Sequence, residues 1–239
     1  MTELTAVTPT SKGKRLAQFG VLFFVLIILP LGTVYYTSGG NDSFKLMIGE
    51  LHEYGELPDF SFAAHNGQQL TREKLEEKLV VNAFTSLDDK DANLMAAQLK
   101  KLHAVFNDKN EVLFLIHSLD AEQDRNKLIS FAERNKLTDD EQFYILTGGQ
   151  EEINKHLKLG FRWPKDFETR EKTKQLQMDE VPDGIQTYPY LVIADKKGMI
   201  RNYYDYKDNQ AMGRLVEHLA LLLPSRTDDD PELVRETEK

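Results

Sequence analysis

The stretch from Leu79 to Phe106 constrains this chain most. Leu79-Val80-Val81-Asn82-Ala83-Phe84 is apolar at nearly every residue and short, which predicts a strand buried on both faces. A polar run, Thr85-Ser86-Leu87-Asp88-Asp89-Lys90-Asp91, ends it. From Ala92 to Phe106 the apolar residues return at helical spacing, with Leu94, Met95, Leu99, Leu102 and Phe106 expected on one face. Strand, polar turn and helix in this order bring the unpaired N–H groups and positive dipole end of the helix to the end of the strand. Ligand sites of open α/β sheets lie in that position.

The same alternation continues along the chain. Phe60 and Phe62 alternate as in a strand, and His65-Asn66-Gly67-Gln68 makes a turn. Thr71-Arg72-Glu73-Lys74 starts a helix with a partial cap, since Lys74 stands where a capping box has Glu. Glu111 to His117 predicts a second buried strand, and Asp120 to Arg134 a helix with Leu128, Ile129 and Ala132 inward. Gln142 to Leu146 predicts a third strand, and Gly148-Gly149 leads to a helix through Ile153, Leu157 and Leu159. Residues 161–186 form a long charged and aromatic excursion, of a length that is usually functional or mobile. Tyr190 to Ala194 and Met199 to Tyr204 are strands joined at Asp195-Lys196-Lys197-Gly198, and Gln210 to Leu223 closes the domain as a helix. The expected class is α/β, with a central mixed sheet flanked by helices.

Ahead of this domain, Phe19 to Tyr36 is an uncharged apolar run near the lower limit for a bilayer-spanning helix. It is longer than a typical signal-peptide core, ends in Tyr35-Tyr36, and has no clean small-residue cleavage site, which favours a retained anchor over a cleaved signal. Lys12, Lys14 and Arg15 put the N-terminus in the cytoplasm, so the rest is expected on the periplasmic side of the inner membrane. The expected organisation is a basic N-terminus (1–18), a transmembrane anchor (19–37), a tether (38–56), the α/β domain (57–224) and an acidic disordered tail (225–239).

The 239 residues carry a net charge of -9, which argues against a nucleic-acid partner. There is no cysteine, which removes thiol nucleophiles, disulfides and cysteine-based metal sites. Asp88, Asp89 and Asp91 do not have the spacing of a hard-cation loop, and helix capping accounts for them. The six histidines show no paired spacing; His117, at the end of a buried strand, is the one to follow, with a satisfied core histidine as its simplest reading. The methionines form no cluster, and the sequence has no phosphate-binding loop, dinucleotide fingerprint or serine elbow. Trp163, Phe167 and Tyr190 are candidate docking residues, the alternative being ordinary packing over the sheet.

Four local patterns carry a family resemblance. Leu57-Pro58-Asp59-Phe60 resembles the first strand of the SCO/SenC branch of the thioredoxin superfamily, whose members are membrane-anchored copper chaperones of cytochrome c oxidase assembly. The segment from Ser118 to Asp124 resembles the family's Asp-Pro-x-x-Asp segment without its proline, and Leu146-Thr147-Gly148-Gly149 is similar to its Leu-Thr-Gly turn. Asp195 to Asp205 is the strongest match, to the late hairpin. The resemblance spans about Leu57 to Leu222 and implies a thioredoxin-like fold.

It also implies where copper would sit. The family's two cysteines fall at Leu87 and Asp91 and its histidine at Thr187, so this chain resembles a degenerate member. Leu, Asp and Thr do not replace soft donors for Cu(I). Pro189, after Tyr188, falls where thioredoxin-like proteins place a cis-proline, and a cis-proline loop is expected there, a trans proline at a strand start being the alternative. The expectation is therefore a non-enzymatic protein with a pseudo-active site and no cofactor, copper included. It would act as a structural or assembly subunit of a membrane complex, a respiratory complex related to cytochrome oxidase above all, with no nucleic acid and no small-molecule substrate. The alternative is a copper chaperone with rebuilt ligands, such as His117 with a methionine or Asp91; a thiol oxidoreductase fails on the absent cysteines.

Overall fold

The centre of the molecule is built from strands too apolar to have a wet face. In the computed structural model, which describes residues 25–26, 48–120, 124–139, 141–165 and 177–223, strand β3 (Leu79–Thr85) and strand β4 (Val112–Ser118) are buried at every position. They pair in parallel from Leu79↔Val112 to Thr85↔Ser118. Strands covered on both sides are what a parallel sheet with helices over each face requires.

Around this pair run β1 (Ser61–Ala64), β2 (Gln69–Thr71), β5 (Phe143–Thr147), β8 (Tyr190–Ala194) and β9 (Ile200–Asp205). The seven strands lie in the order β2-β1-β5-β4-β3-β8-β9, with β3, β4 and β5 parallel and the hairpins β1–β2 and β8–β9 antiparallel at the two sides. Two glycines with left-handed backbone make the hairpin turns: Gly67 at φ 86° and Gly198 at φ 76°. Between β5 and β8 the chain forms a separate pair, β6 (Trp163–Lys165) with β7 (Gln177–Asp179).

Alternation along the strands sorts the core into two layers. Leu79, Val81, Ala83, Phe114, Ile116 and Ile193 pack under helices α1 (Lys90–Phe106), α2 (Arg125–Asn135) and α4 (Asn209–Leu222). Val80, Phe84, Leu113, Leu115 and Val192 face the other way, toward α3 (Gln150–Gly160), Phe161 and Tyr188. Each fully buried Leu or Phe here stabilises the fold by about 1.5–3 kcal/mol.

Several expectations shift. In α1, Met95, Leu99, Leu102 and Phe106 are buried, but Leu94 is 43% exposed, outside the inward stripe. Leu159 in α3 is likewise exposed. Helix α2 starts at Arg125, where the Asp124 carboxylate accepts from Asn126 N, five residues after the expected start. Thr71 precedes only a short 3₁₀ turn and makes no side-chain cap.

The described part of the expected tether is not free chain. His52 N and Tyr54 N donate to Arg201 O and Ile200 O, and Leu57 N to Gly198 O, so residues 52–57 run along the outer side of β9. The Tyr54 ring stands edge-on to Tyr203. Of the expected anchor only Val25 and Leu26 are described, and the expected tail lies outside the described residues. Among the described residues, no helix is long and apolar enough to cross a membrane.

Candidate functional site: the turn between β3 and α1

Strand β3 ends at Thr85, and the chain must then reverse into α1 within a few residues. Ser86 N donates to Gln186 O, which ties the turn to the segment leading into β8. On that segment Tyr188 N donates to Phe84 O, and Thr187 forms a bridge with Thr85. The fold therefore brings the turn and residues 187–189, a hundred residues apart, into contact.

Asp89 joins the two. As N-cap of α1, it accepts from Asp91 N through Oδ1 (3.0 Å), while its Oδ2 accepts from Thr187 Oγ1 at 2.7 Å. The Thr85 hydroxyl lies 2.8 Å from Thr187 Oγ1. With Thr187 donating to Asp89, the one proton of Thr85 is shared between Thr187 Oγ1 and Ser86 O, 3.0 Å away, and the two hydroxyls end on a carboxylate. The Asp91 N–H, and after it the Thr187 hydroxyl, hold the Asp89 carboxyl below its ordinary pKa of 3.8.

The other turn residues are also engaged. Leu87 is buried in the layer beneath α1, its N–H donating to Asp120 and its carbonyl accepting from Arg134. Asp88 pairs with Lys127. Asp91 pairs with Lys207 at 2.7 Å. Thus Leu87, Asp91 and Thr187 belong to one assembly, connected through Asp89, but each side chain is already committed to packing, an ion pair or a hydrogen bond.

The peptide bond before Pro189 is trans, contrary to the expected cis-proline loop. The physical reason lies in the pairing: Thr187 and Tyr188 extend the ladder beside β3, and Pro189 enters β8 at a place that needs no N–H. Tyr188 is fully buried, and its hydroxyl donates to Arg162 O. Trp163 is half-buried and stands edge-on to Tyr188 and Tyr190, at 5.8 and 5.9 Å between ring centres. Two of the three candidate docking residues are thus together at one place; Phe167 lies outside the described residues.

His117 is buried on the far face of β4 and is only half satisfied. Its Nε2 meets Asn82 Oδ1 at 3.2 Å, and its Nδ1 has no partner among the described residues. Beside it stands His156 of α3, which the sequence reading passed over. The signal was present: His156 follows Ile153 by three residues and precedes Gly160 by four, on the buried stripe of α3. Asp89 too was visible only as one of three carboxylates, because its partner Thr187 is distant in sequence.

This architecture defines a protein of the thioredoxin-like α/β class. Within that class, its fold is similar to that of Sco/SenC proteins. A SCO1/SenC family lipoprotein from Bacillus anthracis superposes with a TM-score of 0.55 at 21% identity, over 70% of this chain and 94% of its own. BsSco, described as a member of the Sco family of cytochrome c oxidase assembly proteins, gives 0.56 at 19% identity, over 72% and 95%. Yeast Sco1 with copper bound gives 0.50 at 15% identity, over 77% and 99%. No protein-family model and no curated protein matches the sequence.

The side chains at the turn do not fit copper. Leu87 offers no donor atom, Thr187 offers a hydroxyl already bonded to Asp89, and Asp91 offers a hard oxygen paired with Lys207. Cu(I) takes soft thiolate and thioether ligands.

Proposed function

We propose that this chain is a membrane-tethered scaffold: a thioredoxin-fold subunit or assembly partner of a membrane respiratory complex, of the cytochrome oxidase kind, that does no copper or thiol chemistry at its turn. The observation that carries this reading is the Asp89–Thr187 clasp. In a site that works on metals or thiols, the end of the central strand and the facing loop present reactive groups to a partner. Here the same two loops are stitched to each other by hydrogen bonds, over a buried leucine, in a chain without cysteine.

The respiratory setting rests on similarity of fold to proteins named for cytochrome c oxidase assembly. The membrane setting rests on the apolar run Phe19 to Tyr36 behind Lys12, Lys14 and Arg15, which orients the domain to the periplasmic side. The absence of catalysis, of a cofactor and of a small-molecule substrate belongs to the same proposal. Trp163 and Tyr190, at the base of the β6–β7 pair, are the proposed contact with the complex, since half-buried Trp and Tyr serve as interface anchors.

Affinity purification of the full chain from membranes in mild detergent tests this. Subunits of a respiratory complex should co-purify, and Trp163→Ala should weaken that association by tenfold or more, as loss of an anchor does, while the domain stays folded. A chain that purifies alone from native membranes, or an association indifferent to Trp163, refutes the respective part.

A further inference from the structure

Helix α3 carries a histidine on a buried stripe otherwise made of Ile153, Leu157 and Gly160. His156 is 4% exposed, and neither of its ring nitrogens has a hydrogen-bond partner among the described residues. Buried polar groups are almost always paired, so two unpaired nitrogens on one ring call for a partner from outside the chain. Burial pushes this imidazole down to about 4, so at neutral pH it is uncharged and offers one N–H and one lone pair.

The ring stands beside a surface cleft, which it lines together with the apolar side chains of Pro58, Phe60, Phe62 and Leu159. Leu159 is 62% exposed there. Of the phenylalanines around His156, Phe62, Phe84 and Phe161 are buried, whereas Phe60 is half-buried. The Phe60 ring is 4.9 Å from the imidazole and stacks on Phe62 at 5.3 Å. It is therefore the ring free to turn aside, and its movement brings the closed nitrogens within reach of the cleft.

Size and chemistry select the occupant. The cleft measures about 230 Å³. An apolar cavity of about 150 Å³ takes one benzene ring, and sites for larger ligands start at about 300 Å³. There is room for one six-membered ring with small substituents, and none for a nucleotide. Walls of phenylalanine favour an aromatic ring. A hydroxyl can donate to the lone pair of His156 or accept from its N–H, so it satisfies either tautomer, which a carbonyl or an ammonium does not. Asp59 and Glu152 outnumber Lys155 along the cleft, which disfavours a carboxylate, and the apolar walls disfavour any ion.

We propose that the cleft between α3 and the start of β1 binds one uncharged phenol ring, with its hydroxyl hydrogen-bonded to His156. The ring is held as a ligand, and no reaction is assigned to it. A free phenol and the tyrosine side chain of a docking protein share this chemistry. The cleft contains no residue of the turn after β3, and the inference does not depend on the scaffold reading.

The test uses the full chain in lipid nanodiscs, with 4-fluorophenol followed by fluorine NMR. Uptake by lipid does not saturate, whereas the site should fill at one equivalent with a midpoint below about 1 mM. 4-Fluorotoluene, with methyl in place of hydroxyl, should bind about tenfold more weakly. The imidazole nitrogen-15 resonances of His156 should shift with the same midpoint. His156→Phe, suited to aromatic surroundings, should keep the circular dichroism and bring the two probes level. Uptake of 4-fluorophenol without saturation, equal midpoints for both probes in the native chain, or a preference that survives in His156→Phe would each overturn the proposal and leave the nitrogens to water. If that variant does not fold, the His156 resonances decide, and unmoved resonances overturn it. Titrating p-cresol against N-acetyltyrosine amide separates the sources: an advantage of about tenfold for the amide assigns the bound ring to a tyrosine side chain, and its absence to a free phenol. Co-purification, which judges the scaffold reading, is a separate measurement.

Discussion

Removing the Asp89 carboxylate should separate the turn from the loop that faces it. In Asp89→Ala the N-cap of α1 is lost, at about 1 kcal/mol. The Thr187 hydroxyl also loses a charged acceptor, at about 1.5 kcal/mol. Thr85 Oγ1 remains 2.8 Å from Thr187 to take up part of that bond, so the net expectation is about 2 kcal/mol. Asp89→Asn keeps a good cap and an acceptor oxygen, and should cost about 0.5–1 kcal/mol. The charge gives a further signature. Because the folded state holds this carboxyl below 3.8, its contribution is complete above that value and disappears as pH falls through the folded pKa. The gap between the native chain and Asp89→Asn should therefore be constant from pH 7 to 5 and narrow below about 4. Urea unfolding in mild detergent, followed by the fluorescence of the one tryptophan, measures it, with the slope m checked for constancy. An Asp89→Ala variant within about 0.3 kcal/mol of native stability would refute the clasp. So would a gap that widens in acid.

Three further outcomes are expected. Leu87→Ala should destabilise by about 3 kcal/mol in the same assay, since the side chain is 2% exposed within a packed layer; a loss under 1 kcal/mol would mean that the turn is looser than described. Gly160→Ala should destabilise by about 1 kcal/mol or more despite alanine's better helix propensity, because its Cβ would press on the Pro58 ring, with Cγ at 2.7 Å; a stabilised variant would show that this approach is relaxed. The triple variant Leu87→Cys, Asp91→Cys, Thr187→His should gain a Cu(I) site with sulfur ligands, seen by X-ray absorption; a folded variant without one would refute the placement of the three positions.

What the sequence disclosed follows from the range of the forces involved. The strands Leu79 to Phe84 and Glu111 to His117 were readable because both faces are covered, so no polar residue interrupts their pattern. The β8–β9 hairpin was readable because its turn chemistry is local, with Gly198 supplying the left-handed residue and the Asp195 carboxylate accepting from Lys197 N. Leu94 shows the limit of periodicity, since an apolar residue at the margin of the stripe is read as inward although it faces water. The run of residues 52–57 along β9 was not readable at all, because backbone bonds between segments some 150 residues apart leave no mark on side-chain pattern. At the turn, the sequence disclosed which residues stand there but not Asp89 as their common partner.

That common partner bears on why the fold persists in a chain without thiols. A helix N-terminus after a central strand leaves N–H groups and partial positive charge that something must meet. A thiolate meets them at the cost of reactivity, and a water-exposed turn meets them at the cost of order. In this chain a carboxylate meets them and reaches on to Thr187, so the group that satisfies the helix also ties the turn to the facing loop. Lys207 on Asp91, Lys127 on Asp88 and Asp120 on Leu87 N fasten the remaining sides. Such a turn holds one shape with or without a ligand, which a docking surface requires and a metal-exchange site does not. Preorganisation of this kind lowers the ordering cost of association, and so, if the chain docks on a membrane complex as proposed, weakening the clasp should reduce that affinity even where Trp163 and Tyr190 are untouched. Asp89→Asn, folded at pH 7 and tested in the same co-purification, separates this from direct contact at the aromatic pair. Unchanged association would confine the interface to Trp163 and its neighbours and leave the turn as a device of stability alone.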